Sequence, residues 1–563
     1  MTAAGPPARP TDESFEQLGF RPRPATRWLA PRQYVRTTIQ TVLAGVAGSF
    51  TDRRETLAAL DPRPTIAPDL DCSGEEELWV DYLADTGDGF AHTFPVAWAV
   101  AQDQLEVDGH PEPLPAGRVL VLGGDQVYPV ASDDAYRDRL VGVFRAALPW
   151  REQGATRDAV AIPGNHDWYD GLGAFSRAFC QQRWIGAWRT HQHRSYFAVR
   201  LPHDWWWWGV DIALAGLVDR PQLDYFEAMA ERAARVAQVA GTTPRLVIAT
   251  AKPTWLDATP SAPTAARLDR SLDHLVERIA GGHGIEVAAI VSGDKHYYAR
   301  FEPGAGDVPS RIVSGGGGAF LHPTDHVPDR LSVAHDEAAR PDDELVLAAR
   351  APTPSESRRL RLRAVWCGFR NGAFPVVTAL AYLAWLVPAP ARIAVAAAAL
   401  ASTIALARRP SLRDALPWAA PHAAAHVGCM ALALAAADAA TDGTSLWWRA
   451  AALLVAGGLV APVIVGLYFV VAGTIAGIND NEAFAGIRAR RYEHFLRFHV
   501  DRDGAMHLYV IGIDDPPPRR AWRLSSEGAP SDPWFATIPE LRLRLLDGPI
   551  ELGSGVTPVT RDD

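Results

Sequence analysis

The chain has 563 residues, too many for one hydrophobic core, so several domains are expected. Its formal net charge of −10 argues against a nucleic-acid-binding protein, because such proteins usually carry a basic domain. The spacing of its four cysteines fits neither a metal site nor a disulfide framework and predicts reduced thiols; they are Cys72, Cys180, Cys367 and Cys429.

Residues 1–74 predict an arm followed by a helix. Residues 1–30 are rich in Pro and Arg, show no secretory signal and predict a loosely packed segment. Residues 34–50 predict an amphipathic helix that is too polar to span a bilayer. A packed surface helix and a helix lying on a membrane surface are both compatible with that pattern.

Residues 75–325 predict a layered α/β domain. Short apolar runs such as RVLVLGG, DAVAIPG and EVAAIVSG are separated by helical stretches. Buried strands that alternate with helices are typical of sheets covered by helices. Polar residues repeatedly follow these strands, at the end of the sheet where α/β proteins bind ligands.

Residues 326–363 are rich in Pro and charged residues and predict a linker. Residues 364–478 are mainly Ala, Val and Leu and predict an all-α transmembrane bundle of about four helices, near 371–389, 391–407, 422–440 and 450–478. The last of these has no charged residue and exceeds the roughly 20 residues needed to cross a bilayer. The alternative is an Ala-rich helical bundle buried inside a soluble protein.

Arginines predict the orientation of these helices. They cluster before the first predicted span, between the second and third, and after the fourth. The positive-inside rule then places both ends of the chain in the cytoplasm, at an inner or plasma membrane. Residues 479–563 predict a cytoplasmic C-terminal tail that packs on the domain of residues 75–325.

Four polar clusters follow predicted strands in order: ADTGDG, GGDQVY, GNHD and SGDKHYY. In this form and spacing, they resemble the calcineurin-like metallophosphoesterase superfamily, and most closely its purple acid phosphatase branch. The resemblance covers about residues 76–325. It implies a layered β-sandwich flanked by helices, which binds divalent or trivalent ions such as Fe, Mn, Zn or Mg.

The resemblance also implies roles for individual residues. Carboxylate and amide oxygens suit hard cations, imidazole suits Zn-, Fe- and Mn-type ions, and a shared carboxylate lets two ions clamp one phosphoryl group. The matched positions are Asp85 as first metal ligand, Asp125 as bridging carboxylate, Tyr128 as tyrosine ligand, Asn165 as second-site amide ligand, His296 as last histidine ligand, His166 as the histidine at the phosphate or leaving group, and Asp167 as its orienting partner.

Two departures affect the second metal site. The last family element, GHxH, here reads Gly-Asp-Lys-His, so Asp294 becomes a candidate substitute ligand. Ala251 stands where an upstream histidine is expected, followed by Lys252. We therefore expect one firm metal and a second that is weak, harder or absent. Lys252 and Lys295 are candidates to supply positive charge to a phosphate, and His322 either lines the pocket or belongs to a loop under the sheet.

These features favour a membrane-anchored, metal-dependent enzyme that hydrolyses a phosphomonoester or phosphodiester of a small molecule or lipid with metal-activated water. The alternative is a weakened, phosphoesterase-like sensor coupled to its membrane bundle, because two second-site histidines are missing. A transporter is disfavoured, since the predicted spans are few and nearly free of ionisable residues.

Several other residues keep two interpretations. Asp88 is either a partner of the metal ligands or a turn residue, and His92 is expected to be structural. Four consecutive tryptophans, Trp205 to Trp208, are expected to alternate between the two faces of a strand and pack in cores; stacking on a base or lipid is the alternative. His422 and His426 lie one helical turn apart, as helix-packing residues or an intramembrane polar site.

Overall fold

The computed structural model describes residues 15–30, 33, 67–152, 154, 156–212, 218–257, 263–305, 308–332, 344–407, 409, 411–441, 445–487, 489, 491–525, 528–537 and 541–553. The helix predicted at 34–50 lies outside these residues.

The described residues form 21 strands. In chain order they are β1 (Leu70–Asp71), β2 (Leu78–Leu83), β3 (Gln104–Leu105), β4 (Leu114–Pro115), β5 (Val119–Leu122), β6 (Arg157–Ala161), β7 (Trp184–Ile185), β8 (Trp188–Thr190), β9 (Phe197–Arg200), β10 (Trp205–Val210), β11 (Arg245–Thr250), β12 (Glu286–Ser292), β13 (Tyr298–Ala305), β14 (Ser310–Ser314), β15 (Arg330–Ser332), β16 (Glu344–Ala351), β17 (Glu493–Val500), β18 (Met506–Asp514), β19 (Trp522–Leu524), β20 (Phe535–Thr537) and β21 (Arg542–Leu552).

The α-helices of the described residues are α1 (Phe90–Ala101), α2 (Asp133–Tyr136), α3 (Gly142–Ala147), α4 (Asn165–Trp168), α5 (Gly173–Phe179), α6 (Arg220–Ala240), α7 (Thr254–Asp257), α8 (Pro263–His274), α9 (Pro354–Arg361), α10 (Cys367–Arg370), α11 (Phe374–Tyr382), α12 (Arg392–Ala407), α13 (Leu412–Thr441), α14 (Leu446–Val455), α15 (Ala461–Ala476) and α16 (Asp480–Ile487). Turns of 3₁₀ helix lie at Phe15–Leu18, Gly281–His283, Leu362–Trp366, Leu383–Leu386, Ala389–Ala391 and Arg519–Ala521, and π turns at Arg137–Val141, Leu275–Ala280 and Ala456–Val460.

Two large sheets organise this mixed α/β fold. The nine-stranded sheet has the order β1-β9-β10-β11-β12-β14-β13-β16-β15, and the eight-stranded sheet has the order β21-β18-β17-β2-β5-β6-β8-β7. Strands β10, β11, β12 and β14 run parallel in the first sheet, as do β2, β5, β6 and β8 in the second. The carboxyl ends of parallel neighbours meet at one edge of each sheet.

One hydrophobic core lies between the two sheets. It takes alternate residues from strands of both, including Val80 and Val121 from one sheet and Val199 and Val247 from the other. Helices cover the outer faces: α1 and α3 pack on the eight-stranded sheet, and α6 packs on the nine-stranded one. This sandwich of two sheets between helical layers gives the central strands two apolar faces, which explains the continuous apolar runs in the sequence.

The four consecutive tryptophans confirm the expected alternation. Trp205 and Trp207 enter the core between the sheets, whereas Trp206 and Trp208 pack against the helices on the other face. All four are at most 1% exposed. Their use is therefore packing, because successive side chains of a strand point to opposite faces.

Strands from the C-terminal part of the chain complete the eight-stranded sheet. Strand β17 pairs antiparallel with β2, with Leu496 opposite Tyr82, and β18 and β21 continue the sheet outward. A buried ion pair fixes this junction, because Arg497 donates to both carboxylate oxygens of Asp81 at 2.6 and 2.9 Å. The eight-stranded sheet thus combines strands that precede the apolar helices in the sequence with strands that follow them.

Residues 326–363, predicted as a linker, also contribute secondary structure. They contain β15, β16 and α9, and β16 pairs with β13 within the nine-stranded sheet. Helix α9 begins with a capping box in which Thr353 accepts from the Glu356 N–H and Glu356 accepts from the Thr353 N–H. The charged residues and prolines of this segment suggested a linker. Local composition does not reveal that a strand pairs with another strand that is distant in the sequence.

Three helical segments among the described residues are long and apolar enough to cross a membrane: Ala389–Ala407, Leu412–Thr441 and Leu446–Ala476. This finding rests on length and composition. The first of the four predicted spans is shorter than expected, since it forms only the 13-residue apolar segment Phe374–Leu386. Large apolar side chains project outward from this region, including Ile393 at 76% exposure and Leu432 at 72%.

A buried ion-pair network joins the apolar helices to the loop after β14. The Arg361 side chain is fully buried and contacts the carboxylates of Asp325, in that loop, and Asp480, at the start of α16. Next to it, His326 Nε2 lies 2.7 Å from the Gly473 carbonyl oxygen in α15. The loop is therefore held directly against the ends of the apolar helices.

Candidate active site

The polar clusters predicted from sequence gather at the carboxyl ends of both sheets. Asp85, Asp125 and Asn165 follow β2, β5 and β6, which are parallel neighbours in the eight-stranded sheet. Lys252 and Asp294 follow β11 and β12 in the nine-stranded sheet. A bond from the Asp294 N–H to Asp85 Oδ2, at 2.9 Å, joins the two edges.

Three of the carboxylate residues have a left-handed backbone. The φ angles are +59° at Asp85, +51° at Asp125 and +65° at Asp294. This conformation is uncommon for residues other than glycine, although Asp and Asn tolerate it best, and such residues concentrate at functional sites. Each sharp turn lets the chain leave its strand while the carboxylate stays at the sheet edge.

The Tyr128 hydroxyl lies at the centre of the cluster. It donates to Asp85 Oδ1 at 2.8 Å, with Asp125 Oδ2 at 3.2 Å and His296 Nε2 at 3.1 Å. His296 Nε2 also lies 3.4 Å from Asp85 Oδ1. The structure therefore brings together four predicted ligands, and all four are buried.

Two main-chain contacts orient His296. Its Nδ1 lies 2.5 Å from the Phe320 carbonyl oxygen, which can only accept a hydrogen bond, so Nδ1 carries the proton in neutral imidazole. Nε2 is then unprotonated, and its lone pair faces Asp85 and Tyr128. His322 stacks on the ring of His296 at 4.1 Å and accepts the His296 N–H at 3.2 Å through Nδ1. His322 thus packs against the site and positions its neighbour.

The structure gives Asp167 a different role from the one predicted. Its carboxylate accepts the N–H groups of Gly164 and Gln126 and the hydroxyl of Tyr136. The ring of His166 is instead held by a 2.7 Å contact from Nδ1 to the Pro129 carbonyl oxygen. Asp167 therefore holds the GNHD loop against the Asp125 turn, and backbone geometry rather than Asp167 orients His166.

The residues expected at a second metal site are only partly assembled. Asn165 donates from Nδ2 to the Tyr169 hydroxyl at 3.0 Å, which leaves its carbonyl oxygen as the possible ligand atom. Ala251 is buried, and a Cβ added to Gly124 would lie 2.9 Å from its methyl carbon. The methyl side chain of Ala251 offers no ligand atom at that position.

Asp294 is paired with positive charge. Lys295 Nζ lies 3.6 Å from Asp294 Oδ2. Burial opposes ionisation of Asp294, but Lys295 and Lys252 together hold its pKa below the ordinary value. Both lysines are only partly buried, and their positive charges act on Asp294 at the sheet edge.

The pKa values of the buried carboxylates Asp85 and Asp125 are shifted in the opposite direction. Burial, and then repulsion from Asp85, Asp167 and Asp294, raises the pKa of Asp125 well above its ordinary value. Burial also raises the pKa of Asp85, although His296 counteracts it. Closely spaced, buried carboxylates disfavour ionisation unless a cation compensates their charge.

The cluster has the donor types of a metal site but not the arrangement of one. Within the described ranges, no group of three or more His, Cys, Asp and Glu side chains is arranged as a metal centre; instead, the Tyr128 hydroxyl lies among Asp85, Asp125 and His296. The donor types nevertheless fit a hard or intermediate cation. The fixed tautomer of His296 is that of a metal-binding histidine whose other nitrogen binds a carbonyl. The residues therefore fit such an ion.

Comparison with known proteins finds distant structural neighbours. No family model and no curated protein matches the chain. Purple acid phosphatase PPD1 from yellow lupin (Lupinus luteus) seeds aligns at 14% identity and a TM-score of 0.28, over 45% of this chain and 46% of that one. PhoD aligns at 10% identity and a TM-score of 0.26, over 45% and 58%.

The chain thus spans about half the length of these neighbours. Each likeness covers 45% of this chain. Similarity at this level carries no argument about activity.

Sequence reasoning missed the aromatic residues at the site. Trp28, from the N-terminal arm, lies edge-on to Tyr128 and His166, with ring centroids 5.9 and 5.8 Å away. Asp88 holds it, because Oδ2 accepts the Trp28 indole N–H at 3.3 Å. Nothing in the local sequence around Trp28 signals this contact, because it depends on where the arm lies.

The other histidines singled out in the sequence make contacts of their own. His92 Nδ1 lies 2.7 Å from Glu493 Oε1, which ties α1 to β17. Within the apolar helices, the Nε2 atoms of His422 and His426 are 3.1 Å apart, and the Tyr382 hydroxyl lies 2.8 Å from His426 Nδ1. The two histidines therefore form a small polar cluster between helices.

Proposed function

We propose that this chain is a membrane-associated, metal-dependent phosphoesterase. The observation that carries the proposal is the meeting of Asp85, Asp125 and His296 around the Tyr128 hydroxyl, at the carboxyl ends of parallel strands. Burying two carboxylates side by side destabilises the fold, because the two groups repel each other when ionised. Stability alone therefore does not explain this arrangement.

Asp85, Asp125, Tyr128 and His296 would hold one ion of Fe, Mn, Zn or Mg. Asn165 and Asp294 are the residues available to a second. When bound, such an ion lowers the pKa of a coordinated water and offsets the charge of a phosphoryl group.

The other residues of the site would act on the phosphate ester directly. With Nδ1 held by the Pro129 carbonyl, Nε2 of His166 is the nitrogen left to contact a substrate oxygen. Once protonated, it can donate that proton to the leaving-group oxygen. Lys252 and Lys295 would attract the phosphate and offset its negative charge, because both are partly buried cations whose charges act on Asp294.

The three long apolar helices support a multi-pass location in the membrane. Arginine-rich flanks in the sequence favour a cytoplasmic position for the site. Both statements belong to the proposal and are tested by labelling single exposed cysteines from either side of sealed vesicles.

The function itself is tested on the full chain in detergent with Mn²⁺, Fe²⁺ or Zn²⁺. The assay compares hydrolysis of p-nitrophenyl phosphate and bis(p-nitrophenyl) phosphate by wild type, Asp125→Asn and the matched surface variant Asp108→Asn. We expect Asp125→Asn to lose bound metal, measured by mass spectrometry, and to lower the rate at least about 100-fold. Asp108→Asn should match wild type, because Asp108 is exposed and lies between β3 and β4, whereas the candidate site residues follow other strands.

Equal rates for wild type and Asp125→Asn would contradict the proposal. The second candidate is a phosphate-binding sensor, favoured by the absence of a ligand at Ala251 and by the bond between Asn165 and Tyr169. It predicts binding of inorganic phosphate, measured by calorimetry, without turnover under any of the three metals.

A further inference from the structure

Aromatic side chains line one side of the candidate site. We call Trp28, Tyr169 and Phe320 the aromatic wall. Trp28 and Phe320 lie with ring centroids 5.6 Å apart, Phe320 is 4.8 Å from His296, and Tyr169 is 5.0 Å from His166. All three are only partly buried, so apolar surface is accessible immediately beside the groups expected to bind phosphate.

The wall has a fixed position. Asp88, which is 3% exposed, accepts the Trp28 indole N–H at 3.3 Å and the Thr26 main-chain N–H at 3.1 Å. Phe320 is held from the other side, because its carbonyl oxygen binds His296 and its loop is tied to Arg361 through Asp325. These contacts make the wall a built part of the site rather than a loose arm.

The wall is continuous with the apolar helices. Leu29 and Leu321, the next residues after Trp28 and Phe320, are buried in one cluster with Leu360, Ala364 and Phe469. Leu29 packs so closely that a Cβ on Gly486 would lie 2.8 Å from its Cδ1. The chain segments that present aromatic rings to the site therefore present aliphatic side chains to the helix ends.

The segment that leads from this cluster to the first apolar helix has the composition of a membrane-surface segment. Its exposed residues are Arg358, Arg359, Leu362, Arg363, Trp366, Phe369 and Arg370. Leu362 and Trp366 are 61% and 56% exposed, which is unusual for such large apolar side chains. Both lie next to arginines in the sequence or on the same segment. Arginine with exposed Trp, Phe and Leu suits the headgroup region of an anionic bilayer.

We propose that the substrate is a phosphate ester carried on a long apolar chain, taken from the bilayer surface. This inference rests on the proposed phosphoesterase function. The phosphate would lie at the Asp85–Asp125–His296 cluster, and the chain would pass along the aromatic wall toward the apolar helices. A nucleotide base could also stack on the rings, but the exposed Leu362, Trp366 and Phe369 among arginines favour a lipid at a bilayer surface.

The test uses the full chain in lipid nanodiscs and two matched pairs of esters. The monoester pair is dioleoyl phosphatidate and glycerol 3-phosphate; the diester pair is dioleoyl phosphatidylglycerol and glycerophosphoglycerol. We expect kcat/KM to favour the long-chain member of the hydrolysed pair by about 100-fold or more. Trp28→Ser should lower that ratio about 10-fold, and Trp28→Phe, which keeps a ring, should retain most of it.

Trp184→Ser is the matched control, since Trp184 is 52% exposed on the edge strand β7; it should leave the ratio unchanged. If Trp28→Ser does not fold, as judged by its thermal unfolding, Phe320→Ser tests the same wall. Equal rates for short and long chains, or a preference for adenosine monophosphate, would overturn this inference and leave the phosphoesterase function standing. No hydrolysis of any ester, p-nitrophenyl phosphate included, would overturn both.

Discussion

The buried pair of Arg497 and Asp81 gives a quantitative prediction about how the chain is held together. Arg497 is fully buried and Asp81 is 2% exposed, and the guanidinium also donates to the Leu114 carbonyl oxygen at 3.2 Å. Replacing Arg497 with Met removes one partner and leaves the Asp81 carboxylate buried without its charge partner. Loss of one member of such a pair costs about 3–5 kcal/mol of the free energy of unfolding.

Urea unfolding of the full chain in non-ionic detergent, followed by tryptophan fluorescence, measures that change. The double variant Arg497→Met with Asp81→Leu should lose less than Arg497→Met alone, because neither buried charge remains. Arg502→Met is the control: its partner is Glu77, and the two side chains are 70% and 43% exposed, so the cost should be at most about 1 kcal/mol. Equal losses for Arg497→Met and Arg502→Met would refute the reasoning.

Three further predictions concern the site and its surroundings. A Cβ on Gly164 would lie 2.1 Å from Asp125 Oδ1, so Gly164→Ala should lower phosphoesterase activity about 100-fold, whereas Gly282→Ala, where a Cβ meets nothing within 4 Å, should not. Burial lowers the pKa of His494 to about 4, so on acidification the unfolded chain protonates this histidine before the folded chain does. The free energy of unfolding should therefore fall by about 3 kcal/mol as pH drops from about 6.5 to 4. In urea titrations, His494→Gln should lack that loss. Mn²⁺ at about 1,000 times its Kd should stabilise the folded wild type by about 4 kcal/mol but not Asp125→Asn; an unchanged unfolding midpoint would contradict an ion at this site.

Local patterns predicted much of the fold because they reflect local causes. Continuous apolar runs indicated strands buried on both faces, and the tryptophans from Trp205 to Trp208 followed the two-residue period of a strand. The uncharged stretch 450–478 corresponds closely to the helical segment Leu446–Ala476. The segment 371–389 was expected to be longer because hydropathy does not register the break after Leu386, where the helix ends before Pro388.

Contacts between distant parts of the chain escaped the sequence. Asp167 was expected to orient His166, but its carboxylate lies where it satisfies main-chain N–H groups of two loops. Trp28 reaches the site only because Asp88 and the apolar helices hold the arm in place.

By itself, the sequence predicted which polar residues lie at the sheet edges and where each one leaves its strand, because a polar cluster after an apolar run is a local property. Only the tertiary structure decided that β17 lies beside β2 and that an aromatic wall joins the site to the apolar helices. Such pairings depend on burial and charge compensation between distant segments, as for Arg497 and Asp81, which are 416 positions apart, and no local pattern encodes them.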